Sequence, residues 1–226
     1  MEPEATMSTP AQITSRILIE TGSILFRPED PFIFTSGRAS PVYVDCRKLI
    51  AFPRARRRLI AMATAQIEEA VGFESIDVVA GGETAGIPYA AWIADALMLP
   101  MAYIRKKPKG FGRNARIEGV MNEGDRVLLV EDLATDGGSK LSFVQGIRDA
   151  GASCAHCFVV FHYGVFPEGI AQLKAQGVSL HALATWADVL ETAEADGTIT
   201  AETIGEVRSF LADPVPWSKA HGGKED

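Results

Sequence analysis

The sequence predicts an α/β fold: a parallel sheet flanked by helices, with an N-terminal hood and a helical C-terminal extension. Three observations lead there. Short apolar runs ended by turn signals, at 76–80, 101–105, 127–130 and 154–161, have the length and composition of strands covered on both faces. Segments of helical period at 86–97 and 139–149 alternate with them, as in βαβ units with right-handed crossovers. A chain of 226 residues, 47% hydrophobic and 23% charged, is long enough for one sizeable α/β domain with additions and short for two independent ones.

Taken in order, residues 1–9 read as a frayed tail rich in Pro and charge. Ile13, Ile17, Leu18 and Ile19 form a helical stripe that stops at Gly22. From Phe32 to Asp45, alternation broken by prolines suits a short hairpin or an extended lid, and completes a hood over about 10–50. The core, about 51–165, opens with a helix over 55–70 and continues through the alternating elements, the helix over 139–149 being ended by Gly151. The stretch 166–213 is expected to be mostly helical, including 201–211, and 218–226 to fray. A single domain thus spans 10–217.

Composition excludes several functions. A formal net charge of −7 argues against a general nucleic-acid or membrane-surface binder. Arg47, Lys48, Arg54, Arg56, Arg57 and Arg58 do cluster, but without the interleaved aromatics of an RNA platform. No apolar run approaches the ~20 residues of a membrane span, and Met1-Glu2-Pro3-Glu4-Ala5 lacks a basic and apolar leader, so a cytoplasmic protein is expected. Three cysteines do not suggest a disulfide framework. Cys154-Ala155-His156-Cys157 has metal-knuckle spacing, yet it has no second Cys/His pair and opens the apolar run 158–161, so these are read as buried strand residues. The four histidines form no ligand spacing.

The chemistry concentrates in Val127-Leu128-Leu129-Val130-Glu131-Asp132-Leu133-Ala134-Thr135-Asp136-Gly137-Gly138-Ser139. Glu131 and Asp132 stand where the buried run stops. In an open α/β sheet that edge faces the ligand crevice, where two carboxylates meet hydroxyls or a metal ion instead of being desolvated. The residues after them suit the opposite charge: Thr135 and Ser139 offer hydroxyls, Gly137 and Gly138 let the backbone approach, and the helix start favours an anion. Hydroxyls on one side and a phosphate on the other describe a ribose 5-phosphate.

Two further loops fit such a ligand. Gly81-Gly82-Glu83-Thr84-Ala85-Gly86 joins a strand to a helix but carries neither a Walker Gly-Lys-Ser/Thr nor a dinucleotide Gly-x-Gly-x-x-Gly. Residues 105–116 hold six cations and no acid, with Pro108, Gly110 and Gly112 giving the mobility of a closing lid. Cations delivered as a pyrophosphate departs would stabilise the transition state more than the ground state.

These motifs resemble the type I phosphoribosyltransferases, and the wording Thr84-Ala85-Gly86-Ile87 together with the hood core Ser36-Gly37-Arg38-Ala39-Ser40-Pro41 resembles their orotate-using branch. The resemblance implies transfer of phosphoribosyl from phosphoribosyl pyrophosphate (PRPP) to orotate, giving orotidine 5′-monophosphate and pyrophosphate on the route to UMP. It implies that PRPP is held by Glu131, Asp132, Leu133, Ala134, Thr135, Asp136, Gly137, Gly138 and Ser139, with the two acids on the ribose hydroxyls. It further implies a pyrophosphate loop of Gly82, Glu83, Thr84 and Ala85, and a lid whose Arg105, Lys106 and Lys109 bind pyrophosphate. Lys109, Asp132 and Glu131 would be the catalytic residues, and Ser36, Gly37, Arg38 and Thr135 would meet orotate. Mg²⁺ would be held mainly by the substrate, with no direct protein ligand assigned. The lid would reach the neighbouring subunit of a homodimer.

Four positions depart from the pattern. Phe111 stands where the family usually has a histidine, and its ring neither donates a proton nor bonds a phosphate oxygen, which leaves that role to Arg113 or Lys107 or makes it dispensable. Asp136 replaces a small neutral residue and is expected to face solvent or cap the helix. Thr35 and Ala85 stand where some relatives have lysine, leaving the orotate carboxylate to Arg38, backbone groups or Thr135. The rival readings are the same reaction on another nucleobase and a non-catalytic, ligand-sensing regulator of the same fold.

Overall fold

The computed structural model describes residues 8–110, 116–135, 138–165 and 167–224. In chain order the elements are α1 (Pro10–Glu20), β1 (Ile24–Phe26), β2 (Phe32–Ile33), β3 (Ala39–Ser40), β4 (Val42–Val44), a 3₁₀ turn (Cys46–Ala51), α2 (Pro53–Val71), β5 (Val78–Gly82), α3 (Gly86–Leu97), β6 (Met101–Ile104), β7 (Ile117–Glu118), β8 (Arg126–Ala134), α4 (Gly138–Asp149), β9 (Ser153–His162), α5 (Pro167–Ala175), β10 (Ser179–Thr185), α6 (Trp186–Asp196), α7 (Ala201–Ala212) and α8 (Pro214–Ala220). They form two compact units: Pro53–Thr185, and Met1–Phe52 with Trp186–Asp226.

The unit Pro53–Thr185 is built on a six-stranded sheet of order β10-β9-β8-β5-β6-β7, parallel except for the edge strand β7. Every strand of the central four is a fully or mostly buried apolar run, as the sequence reading expects of strands covered on both faces. The chain leaves β5 through α3 toward β6, and leaves β8 through α4 toward β9 in the opposite direction. With right-handed crossovers the two helices lie on opposite faces, and the reversal falls between β5 and β8. Ligands of open α/β sheets bind at such a switch point, outside the carboxyl ends of the strands. On one face Phe143, Val144 and Ile147 of α4 and Leu173 of α5 pack on Val78, Leu129, Cys157 and Val159.

The sheet differs from expectation in three places. The acids do not stand past the end of their strand, because β8 runs on to Ala134. Its ladder with β5 ends at Gly81↔Val130, while that with β9 continues from Glu131↔Val159 to Ala134↔His162. Glu131 and Asp132 therefore border the crevice on one side and remain pinned on the other. Ser179–Thr185, expected to be helical, is the parallel strand β10. Its Leu-His-Ala-Leu-Ala wording has no β-branched run, and pairing with β9 overrides local preference. Ile117–Glu118 adds the short antiparallel β7 beside β6.

In the other unit, Thr9 caps α1 reciprocally: its hydroxyl accepts from the Gln12 amide at 3.2 Å and its own amide donates to Gln12 Oε1 at 3.0 Å. Arg16 meets Asp196 of α6 with two hydrogen bonds of 2.6 and 2.8 Å. β2 and β3 form the expected hairpin, and β1 pairs antiparallel with β4. Residues 218–224, expected to fray, instead support the hairpin. Ala39 donates its amide to Ser218 Oγ at 2.8 Å, and Lys224 donates to the Gly37 carbonyl at 3.0 Å.

Candidate active site

Three glycines set how closely the loops at the switch point approach. A Cβ on Gly81 would sit 2.8 Å from the Gly86 carbonyl, one on Gly82 2.5 Å from Glu131 Oε1, and one on Gly86 2.3 Å from the Val130 carbonyl. No side chain fits there, so the end of β5, the start of α3 and the acidic segment of β8 come into direct backbone contact. The turn between β5 and α3 carries a cis peptide at Glu83–Thr84. Ala85 precedes α3 with no side-chain cap, and the Ile87 amide donates to the Thr84 carbonyl at 3.3 Å. Gly82 is buried, Glu83 and Ala85 are half-buried, and Thr84 is exposed.

The two acids differ. Asp132 is half-buried, whereas Glu131 is only 7% exposed. The Glu131 carboxylate lies 2.9 Å from Lys140 Nζ and accepts from Ser139 Oγ at 3.3 Å. Lys140 also donates to the Leu133 carbonyl at 2.5 Å. Leu133 and Thr135 are half-buried, and the Ala134 carbonyl accepts from the Tyr163 amide at 2.9 Å. Gly138 and Ser139 are exposed at the first turn of α4. Asp136 and Gly137 lie outside the described residues.

The basic segment expected to form a lid is entered and left through a hairpin base. Arg105 follows β6, and its amide donates to the Arg116 carbonyl at 2.8 Å, extending the β6–β7 ladder. Arg116 closes the base from the other side, donating to the Arg105 carbonyl at 2.8 Å and to the Ser142 carbonyl at 2.8 Å. Two acids from outside the basic run answer its charge. Glu118 pairs with Arg105 at 3.3 Å and lies 3.8 Å from Lys109, and Glu83 accepts from the Lys106 amide at 2.7 Å. Lys106, Lys107 and Lys109 are exposed, and the Lys109–Glu118 pair in particular is weak and open to exchange for a phosphate. Phe111 and Arg113 lie outside the described residues.

The structure thus brings the β5 turn, the lid base and the acidic segment of β8 to one edge of one sheet. Ser36, Gly37 and Arg38 belong to the other unit, at the tip of the β2–β3 hairpin. There Phe34 and Arg38 close the turn at 2.9 Å, Gly37 has φ +88°, and Phe32 and Phe34 stand against Tyr43.

Sequence reading gives no role to Glu118, takes Lys140 only as part of a helix start, and counts Arg116 only among the six cations of 105–116. A signal existed for Lys140: a lysine in the first turn of a helix opposes the dipole there, and so needs a specific partner. It also treated the histidines as unrelated, but His156 Nδ1 and His181 Nε2 lie 3.0 Å apart on β9 and β10. Burial holds both rings below the ordinary imidazole range. His162, at the carboxyl end of β9, is likewise lowered, by burial and then by the Lys140 charge. Cys154 and Cys157 are buried in β9 as expected, and burial pushes the Cys154 thiol up to about 11 and the Cys157 thiol further.

Residues 53–174 match the phosphoribosyl transferase domain family. The chain is 59% identical over 210 residues to an orotate phosphoribosyltransferase of Cereibacter sphaeroides, covering 93% of this chain and 90% of that protein. It is 56% identical to one from Dinoroseobacter shibae, covering 93% of each. Among solved structures, the orotate phosphoribosyltransferase of Aeropyrum pernix superposes with a TM-score of 0.68 at 27% identity, over 82% of this chain and 99% of that one. A parallel sheet with its acids, turn and basic segment at one switch point, together with relatives this similar over nearly their whole length, leads to one assignment: the chain belongs to the phosphoribosyl transferase family, in its orotate phosphoribosyltransferase branch.

Proposed function

We propose that this protein transfers the phosphoribosyl group of PRPP to orotate, releasing pyrophosphate and forming orotidine 5′-monophosphate. The observation that carries the reading is the switch-point edge itself, where Glu131 and Asp132 on β8 adjoin the turn into α4 and face the Gly82–Ala85 turn after β5. In this reading Asp132 and Glu131 bind the ribose 2′ and 3′ hydroxyls and offset positive charge as the anomeric carbon becomes oxocarbenium-like. The 5′ phosphate sits on the hydroxyls and backbone amides of Thr135 to Ser139, at the positive end of α4. The Gly82–Ala85 turn wraps the pyrophosphate.

Arg105, Lys106 and Lys109 neutralise the leaving group. Its two phosphates compete with the single carboxylate of Glu118 for Arg105 and Lys109, so the lid exchanges one anionic partner for a stronger one. Ser36, Gly37, Arg38 and Thr135 recognise orotate, whose carboxylate suits backbone N–H donors and a guanidinium.

Among the described residues no group of three His, Cys, Asp or Glu side chains could cage a metal. Half-buried carboxylates such as Asp132 suit Mg²⁺, which keeps waters and substrate oxygens as ligands. When bound, Mg²⁺ supplies neutralisation of pyrophosphate charge. The lid acts on the adjacent subunit of a homodimer, and the cytoplasm, where such metabolites circulate, is the site of action. No helix among the described residues is long and apolar enough to cross a membrane.

The test is a panel of orotate, uracil, adenine and hypoxanthine, each with PRPP and Mg²⁺, followed by pyrophosphate release. Release with orotate alone is expected. Release with a purine instead would replace the substrate, and release with none while PRPP still binds would favour a ligand-sensing role.

A further inference from the structure

We propose that Lys140 is a positioning residue for PRPP: its ammonium fixes the Glu131 carboxylate between the Leu133 carbonyl and the Ser139 hydroxyl, so that the ribose-binding acid is set before the ligand arrives. The inference rests on the reading of this edge as the PRPP site.

Lys140 sits in an unfavourable place for a lysine. Its side chain is 5% exposed, next to a Glu131 side chain that is 9% exposed, in the first turn of a helix whose dipole repels cations. Desolvating two charges costs about what their attraction returns, and a well-packed apolar pair of similar volume would hold the fold as well. Stability alone therefore does not account for the pair.

The geometry accounts for it better. An ammonium has three N–H donors and no acceptor. Here they meet the Leu133 carbonyl at 2.5 Å, Glu131 Oε2 at 2.9 Å and Ser139 Oγ at 3.3 Å. Ser139 Oγ is also 3.3 Å from Glu131 Oε2, closing a triangle. One side chain thereby ties Leu133 near the end of β8, the acid two residues before it and Ser139 in the first turn of α4 into one arrangement.

Two consequences follow. With its donors engaged on Leu133, Glu131 and Ser139, Lys140 does not reach the ligand's phosphate; it acts through Glu131. And because Gly82 has no Cβ, the Glu131 carboxylate and the Phe143 ring fill the space beside it, so the carboxylate is bounded by Gly82 on one side and by Lys140 on the other. From β9 the side chain facing this pair is Cys157, whose buried thiol stays neutral. The Lys140 charge also reaches His162.

The experiment compares the parent with Lys140→Met, Lys140→Arg, Glu131→Gln and the double variant Lys140→Met with Glu131→Gln. PRPP binding is measured by calorimetry without orotate, and KM for each substrate in the reaction. Lys140→Met is expected to weaken PRPP binding and raise its KM by about tenfold or more, with the orotate KM within about twofold. Lys140→Arg should recover part of the loss.

The decisive comparison is the double variant against Glu131→Gln alone, because residues acting as a unit are non-additive. Equal PRPP affinities, within about twofold, support action through Glu131. A further loss by the full Lys140→Met factor overturns it, since Lys140 would then act on the ligand directly. An unchanged PRPP KM with only a lower melting temperature also overturns it. If Lys140→Met fails to fold, the charge-neutral double variant still decides the question. A parent that binds no PRPP would instead sink the underlying reading of the site.

Discussion

Replacing Gly86 by alanine tests the close approach on which the site depends. The added Cβ would lie 2.3 Å from the Val130 carbonyl oxygen and 3.2 Å from Glu131 Cα. A carbon–oxygen contact relaxes only near about 3.3 Å, so α3 and β8 must separate by about 1 Å. The obstructing atoms are backbone in a buried sheet and cannot rotate away. Overpacking of this kind costs about 1–3 kcal/mol, and the better helix propensity of alanine returns at most about 1 kcal/mol. A net loss of about 1–2 kcal/mol lowers the melting temperature by about 2–8 °C in a chain of this size. Gly205 is the control: it lies within α7 with no heavy atom within 4 Å of an added Cβ. Gly205→Ala should raise the melting temperature by about 1–4 °C. Calorimetric melting of the three proteins in one buffer is the assay, with the PRPP KM measured alongside. Gly86→Ala should also raise that KM, because the displaced segment carries Glu131. A Gly86→Ala protein melting within about 1 °C of the parent would refute the packing argument.

Other outcomes can be checked independently. If the lid serves the neighbouring subunit, mixing inactive Lys106→Ala and Asp132→Asn proteins should restore part of the activity through hybrid sites; no recovery after proven subunit exchange would refute action in trans. Cys154 and Cys157 are buried with raised thiol pKa values, so neither should react with an aromatic disulfide at pH 8 within minutes, while both react in denaturant; rapid native labelling of either contradicts the buried-strand assignment. Asp77 is held down to about 2 by hydrogen bonds from the Arg126 side chain and backbone. Its folded-state pKa lies below the unfolded one, so its contribution to stability is present above about pH 4 and fades as pH falls toward 2. The melting temperatures of Asp77→Asn and the parent should therefore differ at neutral pH and converge near pH 2, and the gap should shrink in salt because both side chains are well exposed. A pH-independent gap would contradict the ion-pair explanation.

Much of the fold was legible because its central strands are uninterrupted apolar runs. β5, β6, β8 and β9 announce themselves by composition, and the Gly-rich turns mark their ends. β10 was not legible, since its pairing with β9 comes from tertiary context that no local wording encodes. The extent of β8 was hidden for a related reason: Glu131 and Asp132 look like loop residues, yet the β9 ladder holds them in a strand. In the candidate site the acids, the turn and the cationic lid could be read directly, because each is contiguous in sequence. What could not be read were partners distant from their motif or masked by it. Glu118 lies beyond the basic run it answers, Glu83 reaches the lid from another strand, and Lys140 looked like an ordinary helix residue until its burial beside Glu131 was seen.

The account's central claim, PRPP-dependent chemistry on orotate at the β8 acids, is tested most directly by one measurement on two proteins. The loss of orotate absorbance is followed with PRPP and Mg²⁺ for the parent and for Asp132→Asn, chosen at the half-buried acid because Glu131 is tied to the buried Lys140. The parent should consume orotate only when PRPP is present, and Asp132→Asn should lose at least about tenfold in kcat/KM for PRPP at an unchanged melting temperature. A parent that leaves orotate untouched, or an Asp132→Asn protein as active as the parent, would contradict the account.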